Sequence, residues 1–398
     1  MTDRRTFLKA GAAIGVGGVL AGMGVAGTER RDGYLLEPGM IYLNHASIGT
    51  AHASVLAARE RLAREAESNP WLHVWAGAWE ERIGAARTAT AEMIGARADR
   101  LALLRTTTEA MNIAAFGLDW KPGDEVLFSS LNHTGATACF EHAGRRLGYS
   151  TRRFDFPILD TPGLTPDDVV SIYIDQIRPE TRAVVFPHVD NIVGINYPVA
   201  RLVRAARERG VEYVLVDAAQ AVGMMPVDVA SMGVDLYATS AHKWLQAPKV
   251  TGLAAFSDRF IKHAEPLMVT WGQGSWSDAR KYEDWGTHDP AAWLVVHEAV
   301  KRRPDRDLAA RMALRDRIEE RAGGRGFTFR SPRHPELRTP IAAVEVDGVQ
   351  SREVFAKLRP EGFCFRAFRE QGLTTCRLSV NAANTVAEVD RFFERARA

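Results

Sequence analysis

Cysteine is scarce in this chain: among 398 residues there are three, Cys139, Cys364 and Cys376. Spaced so widely, they exclude a disulfide framework and a clustered metal site, and read as small buried hydrophobes. An excess of charge of either sign is missing too, since 51 basic side chains face 49 acidic ones for a formal net charge of +2. With no basic stripe interleaved with aromatics, that balance argues against a nucleic-acid partner. Internal repeats and low-complexity segments are absent. What is present, 46% hydrophobic and 25% charged residues, is the composition of an ordinary globular protein, and the length allows a large core divided between two domains.

The N-terminus stands apart. Arg4-Arg5-Thr6-Phe7-Leu8-Lys9 reads as a twin-arginine export signal, followed by a weakly apolar Gly/Ala-rich run from Ala10 to Gly27 with a small-x-small cleavage site at Gly24-Val25-Ala26. So many glycines make a poor lipid-facing helix, so a cleaved leader over residues 1–27 is expected rather than an anchor. The expected partner is the twin-arginine translocase, and the expected location is periplasmic or extracellular.

The stretch that organises the chain is Val211 to Trp244. Its Val- and Leu-rich start, Val211 to Val216, fits a parallel strand buried on both faces and ends in an acid, Asp217. A second strand, Leu236 to Thr239, ends in Ser240-Ala241-His242-Lys243. A carboxylate, a histidine and a lysine thus fall at strand C-termini, the ligand edge of an open α/β sheet. VDAAQ followed by SAHKW resembles the centre of the class V aminotransferases, fold type I enzymes that use pyridoxal 5'-phosphate (PLP), and in particular their isopenicillin N epimerase-like branch.

The resemblance implies a set of roles. Lys243 holds the cofactor as a Schiff base, for which a desolvated amine is suited. Asp217 pairs with the pyridinium nitrogen, keeping the ring an electron sink. Gln220 bonds the phenolic oxygen, and Ser240 and His242 reach the phosphate side. Upstream, the strand Leu101 to Leu104 turns into a helix through Thr106-Thr107-Thr108-Glu109, where free N–H groups and the helix dipole favour an anion. This matches the family's phosphate-binding TTEAxN, assigning Thr107 and Thr108. The strand Asp124 to Ser129 delivers Asn132-His133, and the resemblance gives His133 a place on the ring face with a part in proton transfer. Pro187-His188-Val189-Asp190-Asn191 matches a family segment whose asparagine contacts the ring oxygen, so Asn191 is the candidate. Trp285-Gly286-Thr287-His288-Asp289-Pro290 resembles the turn whose threonine contacts the neighbouring subunit's cofactor, so Thr287 implies a homodimer with shared sites. Arg377, in Cys376-Arg377-Leu378-Ser379, would hold the substrate carboxylate in its fork, and His45, in Met40 to Gly49, is a candidate substrate contact. The tryptophans Trp71, Trp75 and Trp79, between and at the edges of two helices, Ala51 to Glu67 and Ala78 to Ile94, read as core.

Strands alternating with amphipathic helices, such as Pro198 to Arg209, indicate a mostly parallel, doubly wound sheet over residues 28–300. From residue 301 onward, a charged helix, Asp305 to Arg321, and strands near Ile341 to Val346 and Cys364 to Phe368 indicate a smaller α+β domain. The expected enzyme works on the amino-acid group of a small molecule or peptide by transamination, epimerisation or β-elimination, in which Lys243 moves the proton, and could tailor a secreted peptide natural product. Desulfurases of the family carry a nucleophilic cysteine in the loop corresponding to Ala367 to Thr375, which here has none. The competing readings are a cysteine desulfurase or lyase and a PLP-fold binding or sensing protein without turnover.

Overall fold

The computed structural model describes residues 33–273, 276–369 and 372–397; the export leader expected over residues 1–27 lies outside them. Among the described residues thirteen strands follow one another: β1 (Ile41–Tyr42), β2 (Leu101–Leu104), β3 (Glu125–Ser129), β4 (Ser150–Phe154), β5 (Thr181–Pro187), β6 (Tyr213–Asp217), β7 (Leu236–Thr239), β8 (Gly252–Phe256), β9 (Phe327–Phe329), β10 (Ile341–Val346), β11 (Phe363–Cys364), β12 (Arg366–Ala367) and β13 (Cys376–Ser379). Seven of them form a central sheet in the order β2-β8-β7-β6-β5-β3-β4. Within it β8 runs antiparallel to both neighbours and every other pairing is parallel.

Burial on both faces explains why the parallel strands are so apolar. In β6, Val214 and Val216 enter one hydrophobic cluster while Tyr213 and Leu215 enter another on the opposite face, as the two-residue period of a strand requires. The helices that cover these faces start on side-chain caps: Thr106 accepts from the Glu109 N–H, and Thr165 forms a reciprocal capping box with Asp168. The C-terminal ends of β2, β3, β5, β6 and β7 therefore open on one edge, and the functional motifs lie there.

A four-stranded antiparallel sheet, β12-β13-β10-β9, forms the C-terminal unit around a third cluster that includes Phe392 and Phe393. The N-terminal segment belongs partly to this unit. Strand β1 pairs in parallel with β11, and Ile41 and Leu43 pack into the same cluster. The chain then crosses to the large sheet, where the Gly49 N–H donates to the His242 carbonyl at 3.1 Å. A Cβ on Gly49 would lie 1.8 Å from the Lys243 carbonyl oxygen, so only glycine permits that approach.

One expectation needs correction. Trp79 is buried, but Trp71 and Trp75 are 71% and 68% exposed, because they sit on a single π-helical turn, Trp71–Trp75, that buries none of its residues. The charged helix is observed at Leu308–Ala322 and is anchored in the interior. Its Arg311 is fully buried and donates to the Gly223 and Met224 carbonyls, with its guanidinium 5.6 Å from the Trp244 ring.

Candidate active site

Two adjoining cavities occupy the C-terminal edge of the large sheet. The first, about 230 Å³, is lined by the Thr106–Thr108 turn and by His133, Asn191, Asp217, Gln220, Ser240, His242 and Lys243. The second, about 410 Å³, shares His133, Asn191, Gln220 and Lys243 with the first and adds Arg377. The fold thus gathers all the sequence-assigned residues around two joined spaces except His45 and Thr287.

Lys243 leaves the end of β7 half-buried between the cavities. Its amine makes no hydrogen bond or ion pair with the described residues. Burial lowers its pKa to about 8; the Asp217 carboxylate opposes that shift and the Arg377 charge adds to it. A large fraction of this amine is therefore neutral, as attack on an aldehyde requires. Asp217, buried at the end of β6, accepts the Ala219 N–H at 2.9 Å through Oδ1, which fixes the carboxylate beside the first cavity.

One wall of the first cavity is built from hydroxyls and a helix N-terminus. The Ser240 hydroxyl accepts the Thr107 N–H at 3.1 Å and lies 3.0 Å from the Thr107 hydroxyl, joining the end of β7 to the start of the helix Thr107–Gly117. Thr108 is exposed at the cavity rim. His242 donates from Nδ1 to the Thr251 carbonyl at 3.2 Å, and burial, with Lys243 adding to it, lowers its pKa. Its neutral ring consequently presents Nε2 as an acceptor, and it offers a phosphate a hydrogen bond only when protonated.

His133 caps the next helix: Nδ1 accepts the Gly135 N–H at 3.0 Å, so the neutral ring carries its proton on Nε2. A Cβ on Gly135 would meet His133 Nδ1 at 2.9 Å and the Thr108 hydroxyl at 3.2 Å, so a glycine here allows ring and hydroxyl to share one rim. Gln220 accepts from Trp244 Nε1 at 2.7 Å and donates to the Ala46 carbonyl at 2.9 Å, leaving one amide hydrogen for a ligand.

Arg377 is the most deeply placed cation of the site, only 1% exposed. It donates to the Asn191 carbonyl at 2.8 Å and, through Nη2, to Asn44 Oδ1 and the Ser47 hydroxyl, both at 2.6 Å. Its Nε is buried without a partner. Burial lowers its pKa to about 9, with Arg366 adding to the effect.

His45 does not reach either cavity. It is buried edge-on to Tyr42 and tilted against Trp244, and burial lowers its pKa to about 3. Ser47, two residues on, lines both cavities instead. Sequence reasoning passed over it and Asn44, although both lie in the segment around His45; hydroxyl and amide side chains near a turn carry no signal until the arginine they hold is known. Asp190 was missed as well. Its buried carboxylate accepts N–H groups from Ile192, Val193 and Ile195, folding the turn that presents Asn191. Thr287 is exposed in a turn outside both cavities, although Trp285 in the same turn stacks with Arg105 at 4.6 Å.

A doubly wound sheet with a half-neutral lysine facing an aspartate, beside a hydroxyl-lined helix N-terminus, defines a PLP-dependent enzyme of fold type I. The profile of the aminotransferase class-V family matches residues 41–392, and the chain belongs to that family. The isopenicillin N epimerase of Streptomyces clavuligerus is 31% identical over 91% of this chain and 96% of its own length. Among solved structures, the cystine C–S lyase C-DES in complex with its product cysteine persulfide superposes with a TM-score of 0.80 at 20% identity, covering 89% of this chain and 97% of that one. A cysteine desulfurase of Escherichia coli gives 0.78 at 22% identity, covering 92% and 96%. At such identities these two structures show the shared fold.

Proposed function

We propose that this PLP enzyme works at the Cα–H or Cβ bond of an amino-acid group in a small molecule or peptide, by transamination, epimerisation or β-elimination. The observation that carries the reading is Arg377, a buried guanidinium with no carboxylate of its own, opening on the cavity it shares with Lys243. When bound, PLP supplies an electron sink for a substrate carbanion. The Thr107, Thr108 and Ser240 hydroxyls and the adjoining helix N-terminus would hold its phosphate, and His242 would stand on the same side. Asp217 would keep a proton on its pyridine nitrogen, while Asn191 and Gln220 would bond its oxygen and His133 would pack against its ring.

Arg377 binds and orients the substrate carboxylate through the N–H groups not given to Asn44, Ser47 and Asn191. Lys243 Nζ moves the Cα proton, for which a pKa lowered to about 8 suits it. Persulfide transfer is less favoured. Cys364 Sγ lies 3.9 Å from Asn44 Nδ2 with its thiol pushed up by burial, and Cys376 is fully buried. The reading extends to a homodimer in which Thr287 reaches the neighbouring site, to export by the twin-arginine translocase, and to tailoring of a secreted peptide outside the cytoplasm. Its support is the exposed Thr287 turn and the sequence at the N-terminus.

The test is product analysis by mass spectrometry, in deuterated water, of the purified enzyme with a panel of free and peptide-bound amino acids. A keto product marks transamination, deuterium at Cα of an inverted amino acid marks epimerisation, and ammonia with loss of a β-substituent marks elimination. No change in any compound would refute the proposal.

A further inference from the structure

The larger cavity holds more positive charge than one carboxylate needs. Arg153 and Arg366 line it together with Arg377 and Lys243, and no Asp or Glu borders it among the described residues. Neither Arg153 nor Arg366 makes an ion pair with a described residue, whereas Arg152, next to Arg153 along β4, is paired with Glu125. Both are nonetheless held. Arg153 donates from Nη2 to the Ser130 carbonyl at 3.2 Å. Arg366 on β12 is the register partner of Arg377 on β13, which puts the two on the same face of the sheet. Their guanidinium carbons lie 5.3 and 5.4 Å from the Phe368 ring, so one aromatic ring braces both. Both guanidinium groups are exposed at the cavity rim, and like charges around one opening with no acid among them focus an anion into it.

We propose that Arg153 and Arg366 form a second anion subsite, which takes a carboxylate or phosphate on the side chain of the amino acid whose α-carboxylate Arg377 holds. The substrate class is thereby narrowed to free amino acids with an anionic side chain. This deepens the proposed function and rests on it.

The test is titration of the PLP-loaded enzyme, followed by the change in cofactor absorbance. L-glutamate, L-aspartate and O-phospho-L-serine are compared with L-glutamine, L-asparagine and L-serine. The anionic members bind at least tenfold more tightly, which is about 1.4 kcal/mol, and the carboxylate and phosphate arms tell which anion is meant. Arg153→Gln and Arg366→Gln each bring the anionic-to-neutral ratio below threefold, and Arg153→Lys keeps it above that. Because the ratio is taken within one protein, a loss of folded fraction does not move it. Equal binding of the two sets by the unaltered enzyme, or a ratio retained in both glutamine variants, overturns the subsite alone. No absorbance change with any of the six compounds overturns the subsite and the proposed function together.

Discussion

The reactivity of Lys243 is a consequence of where β7 ends, and it can be measured without a substrate. An amine with a pKa of about 8 is about half neutral at pH 8; a free lysine titrating near 10.5 is about 0.3% neutral there, roughly 150-fold less. Competitive acetylation of the cofactor-free protein, read at the peptide containing Lys243 by mass spectrometry, should therefore show a rate that levels off above about pH 9 and falls tenfold per unit below about pH 7. The neighbours set the order of the variants. Asp217 raises the lysine pKa, so Asp217→Asn moves the midpoint to lower pH; Arg377 lowers it, so Arg377→Gln moves the midpoint to higher pH. The same shift is a folding cost. For a base whose folded pKa is depressed, the penalty is fully present below pH 8 and is relieved as pH rises from 8 toward 10.5. A shift of this size amounts to about 3 kcal/mol at most. Lys243→Met should accordingly stabilise the cofactor-free protein by up to that amount at pH 7, and by almost nothing near pH 11, in urea unfolding. A midpoint near 10, or the variants in the reverse order, would refute the argument that burial tunes this amine.

Arg377→Gln should lower kcat/KM on an amino-acid substrate by roughly 30- to 10³-fold, the 2–4 kcal/mol expected when a buried charge pair loses one partner, in steady-state kinetics. Ser240→Ala leaves the buried Thr107 N–H without its acceptor and should cost about 1–3 kcal/mol of stability, with weaker PLP retention on dialysis. Asp190→Ala strands three N–H groups at once; the thermal unfolding midpoint should fall by several degrees, more than for Ser240→Ala, which strands one.

The sequence carried most of the large sheet, for a physical reason. Strands such as Leu101–Leu104 and Leu236–Thr239 are buried on both faces, so their apolar runs and terminal polar residues mark where they stop. Strand β8, Gly252–Phe256, went unread because it follows an irregular loop in which Gln246 adopts a left-handed φ of 60°, its Oε1 accepting the Tyr34 hydroxyl at 2.6 Å. Of the site, the motif residues on sheet edges were legible because strand order brings the edges together. Residues that act by holding others were not: Asn44 and Ser47 matter only because Arg377 folds back onto them from 330 or more positions away. The misplacement of His45 has the same origin, since one residue of difference in a turn decides whether a side chain enters a cavity or the core.

The docking of Gly49 onto the Lys243 backbone makes the segment before it a clasp on the site. From Tyr34 to Gly49 the segment clasps the far end of the catalytic loop at Gln246, threads past the arginine's two supporters and ends against the lysine itself. A cut within Tyr34–Gly49 would release the latch that joins the two halves of the molecule, so this short crossing works as a fastener for both.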